Sequence, residues 1–182
     1  MYYPESSVAV GSRIYPFPSM HVALVFKFAG FIDGKIYVIG YRYHDHRKNV
    51  MKHKPMLKET KWETDDMLNS TRWVNACVVD DVLYYHDQEV VNTLSAYDPI
   101  QKPWRAVEGV EELLARTICS DWSYTVRYGG NLALLFRGRS MIRCLEILLE
   151  RRQRRDIWGK VEWCDHVLSG NFEVRKSLAV VV

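Results

Sequence analysis

Three stretches of the chain carry the same alternation of a polar turn and an apolar run. Ile32-Asp33-Gly34-Lys35-Ile36-Tyr37-Val38-Ile39-Gly40 sets an Asp-Gly pair before a β-branched and aromatic run that a glycine ends. That pattern is the signature of a tight hairpin feeding a buried strand. Val79-Asp80-Asp81-Val82-Leu83-Tyr84-Tyr85 repeats it, and Tyr128-Gly129-Gly130-Asn131-Leu132-Ala133-Leu134-Leu135-Phe136 repeats it again. The three starts lie about 47 and 49 residues apart.

Strands and turns returning every ~40–50 residues mark the blades of a β-propeller. The pattern therefore predicts an all-β fold of about three full four-stranded blades plus an incomplete one, arranged as an open fan. The units fall at 7–20 (partial), 21–64, 73–109 and 118–168, with a closing apolar strand at 172–182. In the first, Gly11-Ser12 precedes Ile14-Tyr15 as Asp33-Gly34 precedes its own run, but Pro16 and Pro18 take the place of outer strands, since proline cannot donate to a ladder. The third unit reads as strands at 73–79, 82–86, 93–97 and 104–107, followed by one helical turn at 110–114. The fourth reads as strands at 124–128, 132–136, 142–149 and 158–163. Leu178 to Val182 has no charge or proline to block an edge, so self-association through open blade edges is expected.

Composition narrows the class further. Of the 182 residues, 48% are hydrophobic and 13% aromatic, enough for a packed core of strands. A net charge of +3 argues for neither a nucleic-acid nor a membrane partner, because phosphate-driven binding needs a concentrated basic face. Cys77, Cys119, Cys144 and Cys164 show no Cys-x-x-Cys spacing, which predicts reduced thiols rather than a zinc site or disulfide framework. The N-terminus has no basic region leading into an apolar stretch, so a cytoplasmic or nuclear protein is expected.

Ile32 to Gly40, Tyr97-Asp98-Pro99 with Trp104, and Ile157-Trp158-Gly159-Lys160-Val161-Glu162-Trp163 together resemble the plant F-box/kelch-repeat protein family. The last phrase, shortly after Leu148-Leu149-Glu150-Arg151-Arg152, is the most specific. The resemblance implies a kelch-type propeller that binds a target protein, joined in the family to an F-box that docks on the Skp-type adaptor of a cullin ubiquitin ligase. Met1 leads directly into propeller-like sequence, so the expectation is the C-terminal propeller part without the F-box, with adaptor and cullin as partners only if an F-box is supplied elsewhere. Two further departures are Gly40-Tyr41, where the family pairs glycines, and His53-Lys54-Pro55, where it has Tyr-Asp-Pro.

The family marks at Gly34, Tyr37, Gly40, Trp62, Asp98, Pro99, Trp104, Gly129, Gly130 and Trp158 are expected to be structural: glycines for hairpin turns, tryptophans for packing at outer strands. A Gly-Gly pair with no helix start after it does not make a phosphate site. Arg151-Arg152-Gln153-Arg154-Arg155 is a basic run of the kind that addresses nucleic acid, but its place between two strands predicts a charged hairpin tip. No nucleophile and base pairing, Gly-x-Ser-x-Gly or phosphate loop is present. The expected function is a non-catalytic protein-protein interaction module with no cofactor and an unknown target. The alternative is a metal-binding or galactose-oxidase-like propeller using His44, His46 and His53, whose imidazoles suit copper or zinc.

Overall fold

The computed structural model describes residues 7–10, 13–16, 24–42, 48–53, 63–70, 73, 75–87, 92–117, 122–137, 140–152 and 156–170. Strands dominate. The chain divides into two compact units, Met1–Val74 and Asn75–Val182.

In the first unit, β1 (Ser7–Val10) and β2 (Arg13–Pro16) form a two-stranded hairpin, and β3 (Leu24–Ile32), β4 (Lys35–Arg42), β5 (Lys48–His53) and β6 (Glu63–Thr64) form a four-stranded antiparallel meander in chain order. Asp33 and Gly34, at φ 46° and 69°, make the tight turn between β3 and β4. Ile32, Ile36, Tyr37 and Val38 around it are buried. A short helix absent from the sequence reading, α1 (Asp66–Ser70), follows. The Leu68 amide donates to Asp65 Oδ1 at 3.1 Å, an N-cap. The Trp73 indole donates to the Leu68 carbonyl at 3.0 Å and is buried. Trp73 therefore closes this helix instead of opening the strand expected at 73–79.

The second unit holds two more meanders: β7 (Cys77–Val79), β8 (Val82–Asp87), β9 (Thr93–Tyr97) and β10 (Arg105–Ala106), then β11 (Ser123–Tyr128), β12 (Asn131–Arg137), β13 (Met141–Arg151) and β14 (Ile157–Ser169). Alternation sorts the side chains. On β12, Leu132, Leu134 and Phe136 face a core shared with Val82 and Tyr84 of β8, Leu94 and Ala96 of β9, and Leu145 and Ile147 of β13. Each fully buried aliphatic or aromatic side chain there is worth about 1.5–3 kcal/mol. Val107, Val110 and Leu114, from the connection that carries α2 (Glu111–Thr117), complete it. The helix is longer than the single turn expected at 110–114, and its start is fixed where Glu111 Oε2 accepts the Gly109 amide at 2.8 Å.

Several strand ends differ from the sequence reading, β10 and β14 among them. β10 has two residues instead of four: the Val107 amide still follows the ladder to the Leu94 carbonyl at 2.8 Å, and Glu108 then leaves it to bridge Trp158. β14 runs on to Ser169 because the long β13 pairs with it throughout, with register shifts at Ile142/Arg143 and Glu146/Ile147. Residues 172–182 lie outside the described residues.

Two glycines separate backbone strain from steric exclusion. A Cβ on Gly34 would meet nothing within 4 Å, whereas one on Gly109 (φ 86°) would lie 2.5 Å from Trp158 Cε2 and 2.9 Å from the Gly159 carbonyl oxygen. Gly34→Ala is expected to lower stability by about 1–2 kcal/mol, the cost of a left-handed L-residue. Gly109→Ala adds overpacking of about 1–3 kcal/mol to that strain. Urea unfolding of the two variants, read against the parent chain, checks the order.

Candidate interaction surface

A polar seam joins the two sheets of the second unit. Asn75, just before β7 and at φ 53°, offers its carbonyl to the Thr125 amide at 3.0 Å and to the Thr125 hydroxyl at 2.6 Å, and its side-chain amide donates to the Ser123 carbonyl at 2.9 Å. The Thr125 hydroxyl also lies 3.2 Å from the Tyr84 carbonyl. His86 Nδ1 lies 2.9 Å from Ser123 Oγ, and all of His86, Ser123 and Thr125 are buried. A second seam lies beside α2: the Glu108 amide donates to the Ile157 carbonyl at 3.0 Å and the Gly159 amide to the Glu108 carbonyl at 2.8 Å, a parallel bridge between Glu108 and Trp158.

Held by both seams, the turns β7–β8, β9–β10, β11–β12 and β13–β14 come to one end of the pair, as antiparallel order requires. Ion pairs tie them together: Arg127 to Asp80 at 3.9 Å and Arg151 to Asp98 at 3.7 Å. The Arg151 guanidinium also donates to the Asp80 carbonyl at 2.9 Å. Arg105 reaches Asp156 at 3.5 Å. The exposed Arg127–Asp80 pair contributes little, about 0–1 kcal/mol; the firmer link between the turns is Arg151, which meets the largely buried Asp98 carboxylate and the Asp80 carbonyl.

A family model described as FKB95, Kelch-repeats domain, matches residues 46–168. The chain belongs to the plant F-box/kelch-repeat family. It is similar to F-box/kelch-repeat protein At4g38940 of Arabidopsis thaliana, 47% identical over 127 residues, covering 68% of this chain and 34% of that protein. F-box/kelch-repeat protein At4g39240 of Arabidopsis thaliana is 35% identical over 153 residues, covering 82% of this chain and 37% of that protein. The chain thus spans about a third of the length of these two relatives. No solved structure matches it.

The kelch marks occupy different parts of this frame. Gly34 turns β3 into β4, Gly129 (φ 58°) and Gly130 turn β11 into β12, and Gly40 lies in β4 opposite Phe26 and Asn49. Tyr37 is buried in β4, and burial, helped by Asp65 and Asp33, pushes its phenol up to about 12. Asp98 caps its own turn, with Pro99 as the next residue: Oδ1 accepts the Ile100 amide at 2.9 Å and the carbonyl accepts the Lys102 amide at 3.0 Å. Trp104, immediately before β10, packs on Tyr85 and Tyr97 of its own sheet, at centroid distances of 5.0 and 5.2 Å. Trp158, the second residue of β14, has the Arg152 guanidinium 3.8 Å over its ring, a cation-π contact. Trp62, His44 and His46 lie outside the described residues, and His53 is described only as backbone of β5.

Reactive chemistry is muted in what remains. Burial pushes the Cys77 thiol up to about 12 and the Cys144 thiol up to about 11, so both stay protonated at neutral pH and are poor nucleophiles. Among the described residues, no group of three or more His, Cys, Asp and Glu side chains is placed to hold a metal ion. The seam residues Asn75, Ser123, His86 and Thr125 escaped the sequence reading. Their partners lie 37 to 50 positions away, and the local signal was only an Asn and an alternating Ser-x-Thr.

Burial holds the His86 imidazole below its ordinary value, with Asn92 and Asp87 pulling it partway back. The unfolded chain therefore binds a proton that the folded chain refuses once pH drops through about 6.5, and stability present above that pH is lost on acidification. Unfolding midpoints measured between about pH 7.5 and 5.5, above the carboxylate range, are expected to fall for the parent chain. His86→Gln should flatten that dependence, whatever its absolute stability.

Proposed function

We propose that the chain is a non-catalytic protein-protein interaction module, the target-recognition propeller part of an F-box/kelch ubiquitin-ligase receptor. The observation that carries this reading is the build of residues 75–170. Two sheets are joined through polar seams, and at one end they hold turns that face one another across the sheets through arginine–aspartate pairs and the Arg151 hydrogen bond to the Asp80 carbonyl. Rigid elements that position surface turns are what a recognition surface needs, because loops carry specificity and preorganised side chains lose little entropy on binding. Family membership supports the same reading: the relatives' names pair kelch repeats with an F-box. Docking on a Skp-type adaptor belongs to the F-box, so it is expected of this chain only when an F-box is supplied elsewhere.

Proximity labelling from the chain in its native cell tests this. A small set of proteins should be enriched over a scrambled-surface control, with adaptor and cullin among them only where an F-box is present in the same polypeptide or in a partner. Enrichment of no protein above the control contradicts the interaction reading. Enrichment of adaptor and cullin with no F-box protein present contradicts the assignment of docking to the F-box.

A further inference from the structure

The turn-bearing end of the second unit displays two apolar side chains on fixed supports. Ile100, at the tip of the β9–β10 turn, is 74% exposed, and Tyr128, at the β11–β12 turn, is 48% exposed. Single exposed apolar residues are ordinary; what is unusual is how firmly these are held. Asp98 ties down the Ile100 turn with its carboxylate and carbonyl, at 2.9 Å to the Ile100 amide and 3.2 and 3.0 Å to the amides of Gln101 and Lys102. Its side chain is only 12% exposed, and it faces Arg151 of the neighbouring sheet. On the other turn the Arg127 Nε donates to the Gly129 carbonyl at 3.2 Å.

The guanidinium groups beside them are held but not saturated. Arg127, Arg151 and Arg152 stand 3.9, 3.7 and 3.9 Å from their carboxylates, beyond hydrogen-bond distance. Backbone carbonyls and the Trp158 ring fix them in place. A guanidinium has five donors and prefers a carboxylate gripped by two of them, so each keeps donors for an incoming acid.

We propose that this end of the β7–β14 pair is the target-docking surface, and that it takes an acidic segment of a partner protein carrying an apolar side chain. The carboxylates meet Arg127, Arg151 and Arg152, and the apolar side chain packs against Ile100, the more exposed of the two apolar residues. The proposal rests on the interaction reading above and specifies its surface and the chemistry of its target.

Fluorescence anisotropy of the full chain tests it with labelled peptides about a dozen residues long, each placing aspartates and glutamates around one leucine or phenylalanine. Controls replace the acids by their amides or the apolar residue by serine, and a single-stranded RNA of similar length is included. The acidic-apolar peptides should bind at least about tenfold tighter than either control, and binding should weaken with added salt. Ile100→Asp and Arg127→Gln should each cost about tenfold or more, with a cooperative thermal unfolding transition retained in both variants. Absence of binding by the peptides, equal binding by the controls or the RNA, or binding unaffected by both substitutions overturns the proposal. If Ile100→Asp leaves the set of proximity-labelled proteins intact, the interaction reading survives and this surface is wrong.

Discussion

The second unit depends on one buried hydrogen-bonded node, where Thr125 of β11 meets the Asn75 carbonyl with both its amide and its hydroxyl. Apolar faces alone would let the two sheets slide, since burial is non-directional. The node does not allow it. A shift of one residue would turn Thr125 and Ser123 out and bring Tyr124 and Val126 in. The Asn75 carbonyl would then lose both of its donors, at about 1–3 kcal/mol for a buried group left unsatisfied. The hydrophobic core drives the sheets together, and the polar node selects their register.

The same division of labour recurs at the other seam. Glu108 exchanges two backbone hydrogen bonds with β14 while Val107 and Val110 on either side enter the core. A Cβ on Gly159 would lie 2.8 Å from Val110 Cγ1 and 2.9 Å from Ile147 Cγ2, so the glycine in Trp158-Gly159-Lys160 is required by close approach of the connection to the strand. The family phrase around Trp158 thus has a packing cause: glycine admits the crossing backbone, and tryptophan covers it.

How much of this was legible in the sequence follows from how local each cause is. Turn pairs and alternation are local, and they announced the hairpins at Asp33-Gly34, Asp80-Asp81 and Gly129-Gly130 together with the inward rows of β8 and β12. Strand ends are not local: β14 is thirteen residues long because β13 continues beside it, and the polar pair Asp165-His166 hides that length in the sequence. Helix α1 was missed because five residues offer no periodicity, and its closure depends on Trp73. At the candidate surface, Asp98 and Trp158 were visible as family marks, and the arginine run was read as a hairpin tip. The pairing of Arg127 and Arg151 with Asp80 and Asp98 was invisible, because it joins positions in different sheets.

Native-state hydrogen exchange bears most directly on whether the two sheets form one cooperative body. The amides of Thr125, Gly159 and Glu108 each donate across the junction between sheets, whereas those of β12 and β13 donate within one sheet. If the junction is as integral as the buried node implies, the Thr125 and Gly159 amides exchange only through the same global opening that releases Leu134 and Leu145, with opening free energies within about 1 kcal/mol of theirs. Opening of Thr125 and Gly159 several kcal/mol below that level, with β12 and β13 still protected, would show that the sheets part independently and would contradict the joined frame on which the recognition surface is built.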